Sequence, residues 1–423
     1  GIVYLAADRL TGRDVALKRV TAPEQALQFA SMYRAEDVRL ALAHEFQVLG
    51  SLHHPHIISV LDYGFEADNR PFFTMDYLPE GRPLVAYGLD LPPSERINLL
   101  MQLLQALAYL YRRDIIHRDL KPDNVLVVNG RVKVLDFGLA ISRDFATQSA
   151  EDTTGTPAYM APEILMGAPA STASDLYAVG VMAYELFAGR HPFDTRSLNT
   201  LMFAIHNQMP NFDALPEAPP LKRLIGRLLE KEPQERINRV TEVMQLLAEA
   251  GGMNKLPESV TIWESHLQAA KFVGRESERR KLSAALAEAI QGRGSAWFLA
   301  GESGVGKSRL LDEIRIQAVV AGARVLYGQS VEDGGRPFEL WRDLLRHLLL
   351  IVEPDDLTAT ILKAIVPDIE QLLNRPISEA PDLEGAAAEH RLVSAIVWLF
   401  QQLKIPVVLL LEDLHWANRS LEP

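Results

Sequence analysis

The stretch from Ile115 to Gly138, IIHRDLKPDNVLVVNGRVKVLDFG, gathers the side chains of this 423-residue chain best suited to chemistry. Asp119 and Asn124 stand at the spacing H-R-D-x-x-x-x-N, and after a hairpin-like turn at Asn129 and Gly130 comes the triplet Asp136-Phe137-Gly138. A carboxylate can take a proton from a hydroxyl, and carboxylate and amide oxygens are the ligands that a hard cation such as Mg²⁺ prefers. A second set lies at Gly301-Glu302-Ser303-Gly304-Val305-Gly306-Lys307-Ser308, which spells G-x-x-x-x-G-K-S. Such a loop opens backbone N–H groups at a helix N-terminus to phosphate, with Lys307 reaching the β and γ oxygens and Ser308 a Mg²⁺ ion. A third set, Glu412 and Asp413, closes the apolar run Pro406 to Leu411.

The elements that must hold these groups can be read from periodicity and breakers. Gly1 to Ala6 alternates as a strand, Thr11 to Asp14 supplies a turn, and Val15-Ala16-Leu17-Lys18 resumes the alternation. Glu36, Leu40, Ala43, Glu45, Phe46 and Leu49 recur at helical spacing. Phe72 to Leu78 is a strand running into a loop broken by Pro79, Gly81 and Pro83. Pro92 and Pro93 open a helix with apolar residues at Ile97, Leu100, Leu104, Leu107, Ala108 and Tyr111, and the last helix of this half stops at Gly251 and Gly252. Gly251 to Ala270 reads as a linker without sustained periodicity. Beyond it the pattern predicts a helix to Ile290, a strand at Ser295 to Ala300, the glycine-rich loop, a helix from Arg309 and a strand at Ala323 to Tyr327. Helices at Phe338 to Val352 and Leu383 to Lys404 precede a strand at Pro406 to Leu411. The order strand, loop, helix around Gly301 to Ser308 is the context a phosphate-binding loop requires.

The length suggests about two or three domains. The net charge of -12 argues against general nucleic-acid affinity. The absence of cysteine removes disulfides, thiolate metal sites and thiol nucleophiles. No apolar stretch approaches the ~18 residues that span a bilayer, and no secretory leader is visible, so the expected setting is cytoplasmic, with no membrane binding. The chain opens on Gly1 inside one motif and ends on Pro423 just after another, which reads as a fragment of a longer protein.

From Gly1 to about Ala250 the motifs resemble the protein kinase superfamily, and a lysine two residues after Asp119 resembles its Ser/Thr branch. The resemblance implies a bilobal α+β fold over residues 1–250 and transfer of the ATP γ-phosphate to Ser or Thr hydroxyls of protein substrates. It makes Asp119 the group that accepts the hydroxyl proton, Lys121 a contact to the γ-phosphate, and Asn124 and Asp136 the Mg²⁺ ligands. Lys18 of V-A-L-K would hold the α- and β-phosphates, paired with Glu45. Gly1 would be the last glycine of the Gly-rich loop and Val3 would pack on adenine, with Ala16 and Leu126 completing that set. Met75 would guard the pocket behind a hinge formed by Asp76, Tyr77 and Leu78. His117, Phe137, Leu49 and Val60 would form the internal stack of active kinases. Thr156 would bond the catalytic aspartate, and Arg118 would pair with a phosphate on Thr153 or Thr154, Ser149 being a further candidate. Asp175 would hold the catalytic loop and Arg236 would pair with Glu163. His53, His54 and His56 invite a metal-site reading, but no carboxylate is spaced to complete it.

Residues 271–423, with Phe272-Val273-Gly274-Arg275-Glu276, the loop Gly301, Gly304, Gly306, Lys307, Ser308 and the ending Glu412 to Asn418, resemble the signal-transduction ATPases of the AAA/STAND type. That implies an α/β P-loop domain, incomplete at its C-terminus, using ATP and Mg²⁺. Either Glu412 or Asp413 holds the metal while the other positions water, and this half either hydrolyses ATP or only binds it as a switch, with self-association possible. The whole resembles bacterial hybrid signalling kinases. The alternative is a non-catalytic nucleotide-binding scaffold with a pseudokinase-like domain, against which the presence of Lys18, Glu45, Asp119, Asn124 and Asp136 counts.

Overall fold

A computed structural model describes residues 2–19, 50, 52–66, 70–136, 156–216, 218–252, 275–302, 304–330, 338–379 and 386–416. The first element is a hairpin of β1 (Ile2–Ala7) and β2 (Asp14–Arg19), followed by β3 (Val60–Phe65) and β4 (Pro71–Asp76). They form one antiparallel sheet in the order β1-β2-β4-β3. The register pairs Val3 with Lys18, Leu5 with Ala16, Ala16 with Met75 and Lys18 with Phe73. Directly paired residues share a face and successive residues alternate, so Val3, Ala16, Lys18 and Met75 project from one side of the sheet.

The helical half starts with β5 (Arg82–Pro83), α1 (Leu84–Gly88) and α2 (Pro93–Tyr111). Pro at the first helical position suits α2, because that N–H would lack a helical partner in any case. From Leu99 to Leu110 every residue of α2 is buried. A helix apolar on all sides belongs inside a core. A 3₁₀ turn at Pro122–Asn124 leads into β6 (Val125–Val128) and β7 (Arg131–Val134), joined by Asn129 and Gly130 at φ 48° and 74°. Two consecutive left-handed residues are what a tight two-residue hairpin needs.

A second 3₁₀ turn, Thr156–Tyr159, precedes α3 (Pro162–Leu165), α4 (Thr172–Ala188), α5 (Leu198–Asn207), α6 (Pro219–Leu228) and α7 (Val240–Ala250). Ser171 and Ser174 form a reciprocal cap at the start of α4, and Gly189 in the left-handed region ends it. One apolar cluster runs from Ala16, Phe73 and Met75 through α2 and α4 to α6 and α7, so sheet and helices share a core.

The second half contains α8 (Glu276–Ile290), α9 (Lys307–Val320), β8 (Arg324–Gln329), α10 (Glu339–Leu349), α11 (Asp356–Leu362), α12 (Ile369–Leu373), α13 (Ala386–Gln401) and β9 (Val407–Glu412). β8 and β9 are parallel, with Gln329 opposite Glu412. A parallel pair needs a crossover, which α10 to α13 supply. Their own core contains Leu326, Leu344, Leu348, Leu362 and Leu399.

One expected element is absent: Ser295 to Ala300 forms no strand. Trp297 and Phe298 are exposed, and only Leu299 tucks against Leu282, Leu310 and Ile314. Apolar alternation proposes a strand, but a ladder partner makes one, and neither β8 nor β9 pairs with this segment. The helix expected from Arg309 starts two residues earlier, at Lys307. Among the described residues no helix is long and apolar enough to cross a membrane.

Candidate active site

One carboxylate of the opening stretch meets the lysine of β2. Lys18 Nζ lies 2.6 Å from Asp136 Oδ1, joining the sheet to the segment after β7. Asp119 Oδ2 is 3.1 Å from Lys121 Nζ, and Asn124 Nδ2 donates to Asp119 Oδ2 at 3.0 Å and to the Asp119 carbonyl at 2.7 Å. With its amide nitrogen so used, Asn124 keeps its Oδ1 as an acceptor. Asp136 Oδ1 is buried, and its charge is met by the Lys18 ammonium. A carboxylate oxygen and an amide oxygen such as Asp136 and Asn124 offer are a fitting donor set for a hard divalent cation.

The backbone beneath these groups is held in sparsely populated conformations. Arg118 and Asp136 have φ of 69° and 51°. Such residues cost energy that the surroundings must offset. Asp175, from the first turn of α4, accepts hydrogen bonds from the N–H of His117 at 2.8 Å and of Arg118 at 2.9 Å. It thereby clamps the two residues before Asp119. His117 is fully buried with Nε2 2.9 Å from the Leu135 carbonyl, and burial pushes its imidazole below the usual range, toward the neutral form. Tyr111 Oη donates to Asp175 Oδ2 at 3.3 Å. Sequence reading assigned Tyr111 to core packing, since its spacing on α2 fits an apolar stripe; only the fold shows that its hydroxyl reaches Asp175.

Below the site, Arg236 donates to both carboxylate oxygens of Glu163, at 2.7 and 3.0 Å, and to the Ala173 carbonyl. This pair is buried, so it ties the segment entering α3 to the last helices. On the face of the sheet that carries Lys18, Met75 and Ala16 are buried, while Tyr77 is exposed just past the end of β4. Gly81 turns back with its N–H on the Leu78 carbonyl, and a Cβ there would stand 2.9 Å from Leu126 Cδ1, so Leu78 and Leu126 are brought together. Gly1, Glu45, Leu49, Phe137, Gly138, Ser149, Thr153 and Thr154 lie outside the described residues, and Thr156 is described by its backbone turn only.

In the second half, Gly304 and Gly306 take φ of 79° and 89°, the conformations glycine permits, and α9 begins at once. Lys307 Nζ donates to the carbonyls of Gly301 and Glu302 at 2.9 and 2.8 Å. Ser308 Oγ donates to Glu412 Oε2 at 3.1 Å, whereas Asp413 Oδ2 accepts from Gln329 Nε2 at 2.8 Å. The two acidic residues therefore face different partners, Glu412 the loop serine and Asp413 the end of β8. Sequence reading did not single out Gln329; its place at the carboxyl end of the strand beside Glu412 is the signal that could have found it. Asp312, one turn along α9, has a carboxyl raised by burial, and the Tyr327 phenol is pushed up to about 12 by burial and by Glu412.

A sheet bearing a lysine, set over a helical lobe that presents an aspartate, an asparagine and a second aspartate, is a bilobal arrangement of the protein kinase type. Residues 1–248 match the protein kinase domain, and residues 271–421 match an AAA ATPase domain. The chain belongs to the protein kinase family, with the AAA ATPase domain fused after it. It is 36% identical over 200 residues to the serine/threonine-protein kinase PrkC of Bacillus subtilis, an alignment covering 46% of this chain and 29% of that protein. Two Myxococcus xanthus proteins are also similar. Serine/threonine-protein kinase pkn2 is 32% identical over 59% of this chain and 31% of its own length, and Pkn1 is 35% identical over 56% and 34%. The chain thus spans about a third of the curated relatives it matches.

Proposed function

We propose that this chain transfers the γ-phosphate of ATP to Ser or Thr hydroxyls of protein substrates. The observation that supports it most is the convergence of Lys18 with Asp136, beside Asp119 held by Lys121 and Asn124. Phosphoryl transfer asks mainly for an in-line hydroxyl and for neutralised charge. Asp119 would orient the hydroxyl and take its proton, Lys121 would steady the γ-phosphate, and Lys18, paired with Glu45, the α- and β-phosphates. Asn124 and Asp136 would hold Mg²⁺, which would supply positive charge against the phosphate oxygens. Val3, Ala16, Met75 and Leu126 would enclose the adenine, with Asp76 to Leu78 offering backbone groups. Phosphate transfer by the chain and by Asp119→Asn decides the matter: a general base contributes about 10²–10⁴-fold, and equal rates would sink the assignment.

We further read residues 1–250 as the kinase domain, 251–270 as linker and 271–423 as the ATPase domain. Gly301 to Ser308 would hold the phosphates of a second ATP, and the Ser308 to Glu412 hydrogen bond favours Glu412 as the metal-side carboxylate, leaving Asp413 to position water. ATP binding with and without Lys307→Ala tests this. Phosphate on Thr153 or Thr154 would pair with exposed Arg118; mapping of active protein that finds neither modified would reject it. A cytoplasmic setting, where ATP is available, and self-association through the ATPase domain complete the reading.

A further inference from the structure

We infer that the ATPase domain docks in cis on the kinase's small lobe, through a surface made by α9, α10 and α12. Two separate contacts carry the inference. The first is at the β1–β2 turn, a stiff loop in which Asp8 accepts hydrogen bonds from the Leu10 N–H at 2.9 Å and the Thr11 hydroxyl at 2.6 Å, with Gly12 at φ 69°. So braced, the turn projects Leu10 onto the apolar core of the ATPase half. Arg346 of α10, paired with Asp368 at 2.8 Å, donates to the Leu10 carbonyl, and Arg9 Nη2 donates to the Leu372 carbonyl at 2.5 Å. That carbonyl belongs to the last turn of α12, where helix carbonyls lack partners and a cation is favoured.

The second contact is at β3. Arg315 Nη2 lies 3.6 Å from Asp62 Oδ1, and its guanidinium sits 5.8 Å from the Tyr63 ring centroid. Arg315 is seven residues after Ser308 and three after Asp312, so all three share one face of α9. The helix that begins at the phosphate loop therefore reaches the kinase sheet two turns later. The occupant of the surface is the chain's own small lobe, because each contact pairs complementary groups and only the 22 residues between 252 and 275 separate the two halves in the chain. Linked partners meet at effective concentrations on the order of mM, so contacts too weak to hold free domains suffice. The ion pair is exposed and screened by salt, while Leu10 supplies the apolar seat.

The absence of cysteine makes the test direct. The full chain carrying Asp62→Cys and Arg315→Cys, kept docked by the Leu10 seat, is treated with a short bis-maleimide and digested for mass spectrometry. The expected product joins the two cysteines within one chain, as shown by mixing isotopically light and heavy protein. Leu10→Asp in that background lowers the yield about tenfold, the result of placing a carboxylate in an apolar seat. Both cysteines capped separately, links only between light and heavy chains, or a yield untouched by Leu10→Asp each overturn the proposal. The experiment contains no nucleotide, so a loop that binds no ATP would leave its outcome unchanged.

Discussion

Asp175 shows how one buried carboxylate can govern a site it does not enter. Its two oxygens hold the N–H groups of His117 and Arg118, and the second of these is strained at φ 69°. Asp175→Ala would leave two N–H groups without their acceptor, at about 1–3 kcal/mol each, and release Arg118 from its left-handed conformation. The expected outcome is a lowered urea midpoint together with loss of phosphate transfer. Tyr111→Phe, which removes one hydrogen bond, should cost about 1 kcal/mol and leave transfer measurable. Lys231 gives a pH signature at the same scale. Its ammonium donates to the Ile205 carbonyl at 2.7 Å above the Phe193 ring, and burial lowers its pKa from 10.5 to about 8. Between those values the unfolded chain binds more protons than the folded one, so stability should rise as pH goes from about 8 toward 10.5. Thermal melts across that range should show the rise in the chain and a flatter profile in Lys231→Met. Asp119, Asn124, Asp136 and Lys18 were legible from spacing because chemistry fixes their types. Tyr111 and Gln329 were not, because their roles arise from neighbours that the fold brings near.

At the scale of elements, α4 is central: it carries Asp175 at one end and packs on α6 along its middle. A Cβ at Gly180 would stand 2.7 Å from Leu228 Cβ and 3.1 Å from Leu229 Cδ2, so the two helices meet at a glycine. Gly180→Ala gains about 1 kcal/mol of helix propensity and loses about 1–3 through overpacking, so chemical unfolding should register a net loss. The Glu163 and Arg236 pair fixes the neighbouring segment. Arg236→Met strands a buried carboxylate and should cost about 3–5 kcal/mol, whereas Glu163→Met with Arg236→Met should recover much of it. Urea titrations of the two variants separate a charge effect from a packing effect. Helix α2 and the β6–β7 hairpin were readable because breakers and periodicity agree there with burial. Ser295 to Ala300 misled because its apolar pattern is that of a strand while no neighbouring strand pairs with it. Sequence leaves open which partners Glu412 and Asp413 meet, because adjacent residues point apart in a way set by strand register and by the φ of 55° at Asp413.

Among the described residues the two largest apolar clusters, one beneath the kinase site and one among α10 to α13, are joined by the thin contact at Leu10 and Arg315. Cores that share so little surface should unfold as separate units, and a single two-state treatment would not apply. Calorimetry of the full chain should therefore resolve two transitions. Arg236→Met should lower only the kinase transition and so identify it. Each proposed nucleotide site then stabilises its own unit: ATP with Mg²⁺ at about 100 times the dissociation constant adds about 2.7 kcal/mol, a shift on the order of 5–10 °C for units of this size. Lys307→Ala should abolish the shift of the ATPase transition and leave that of the kinase, and Lys18→Ala should do the reverse. If ATP moves both transitions equally in either variant, the nucleotide sites are not independent and the docked contact transmits more energy than its few groups supply. If it moves only the kinase transition in the unmodified chain, the loop at Gly301 to Ser308 holds no nucleotide, and α9 links the two halves as structure alone.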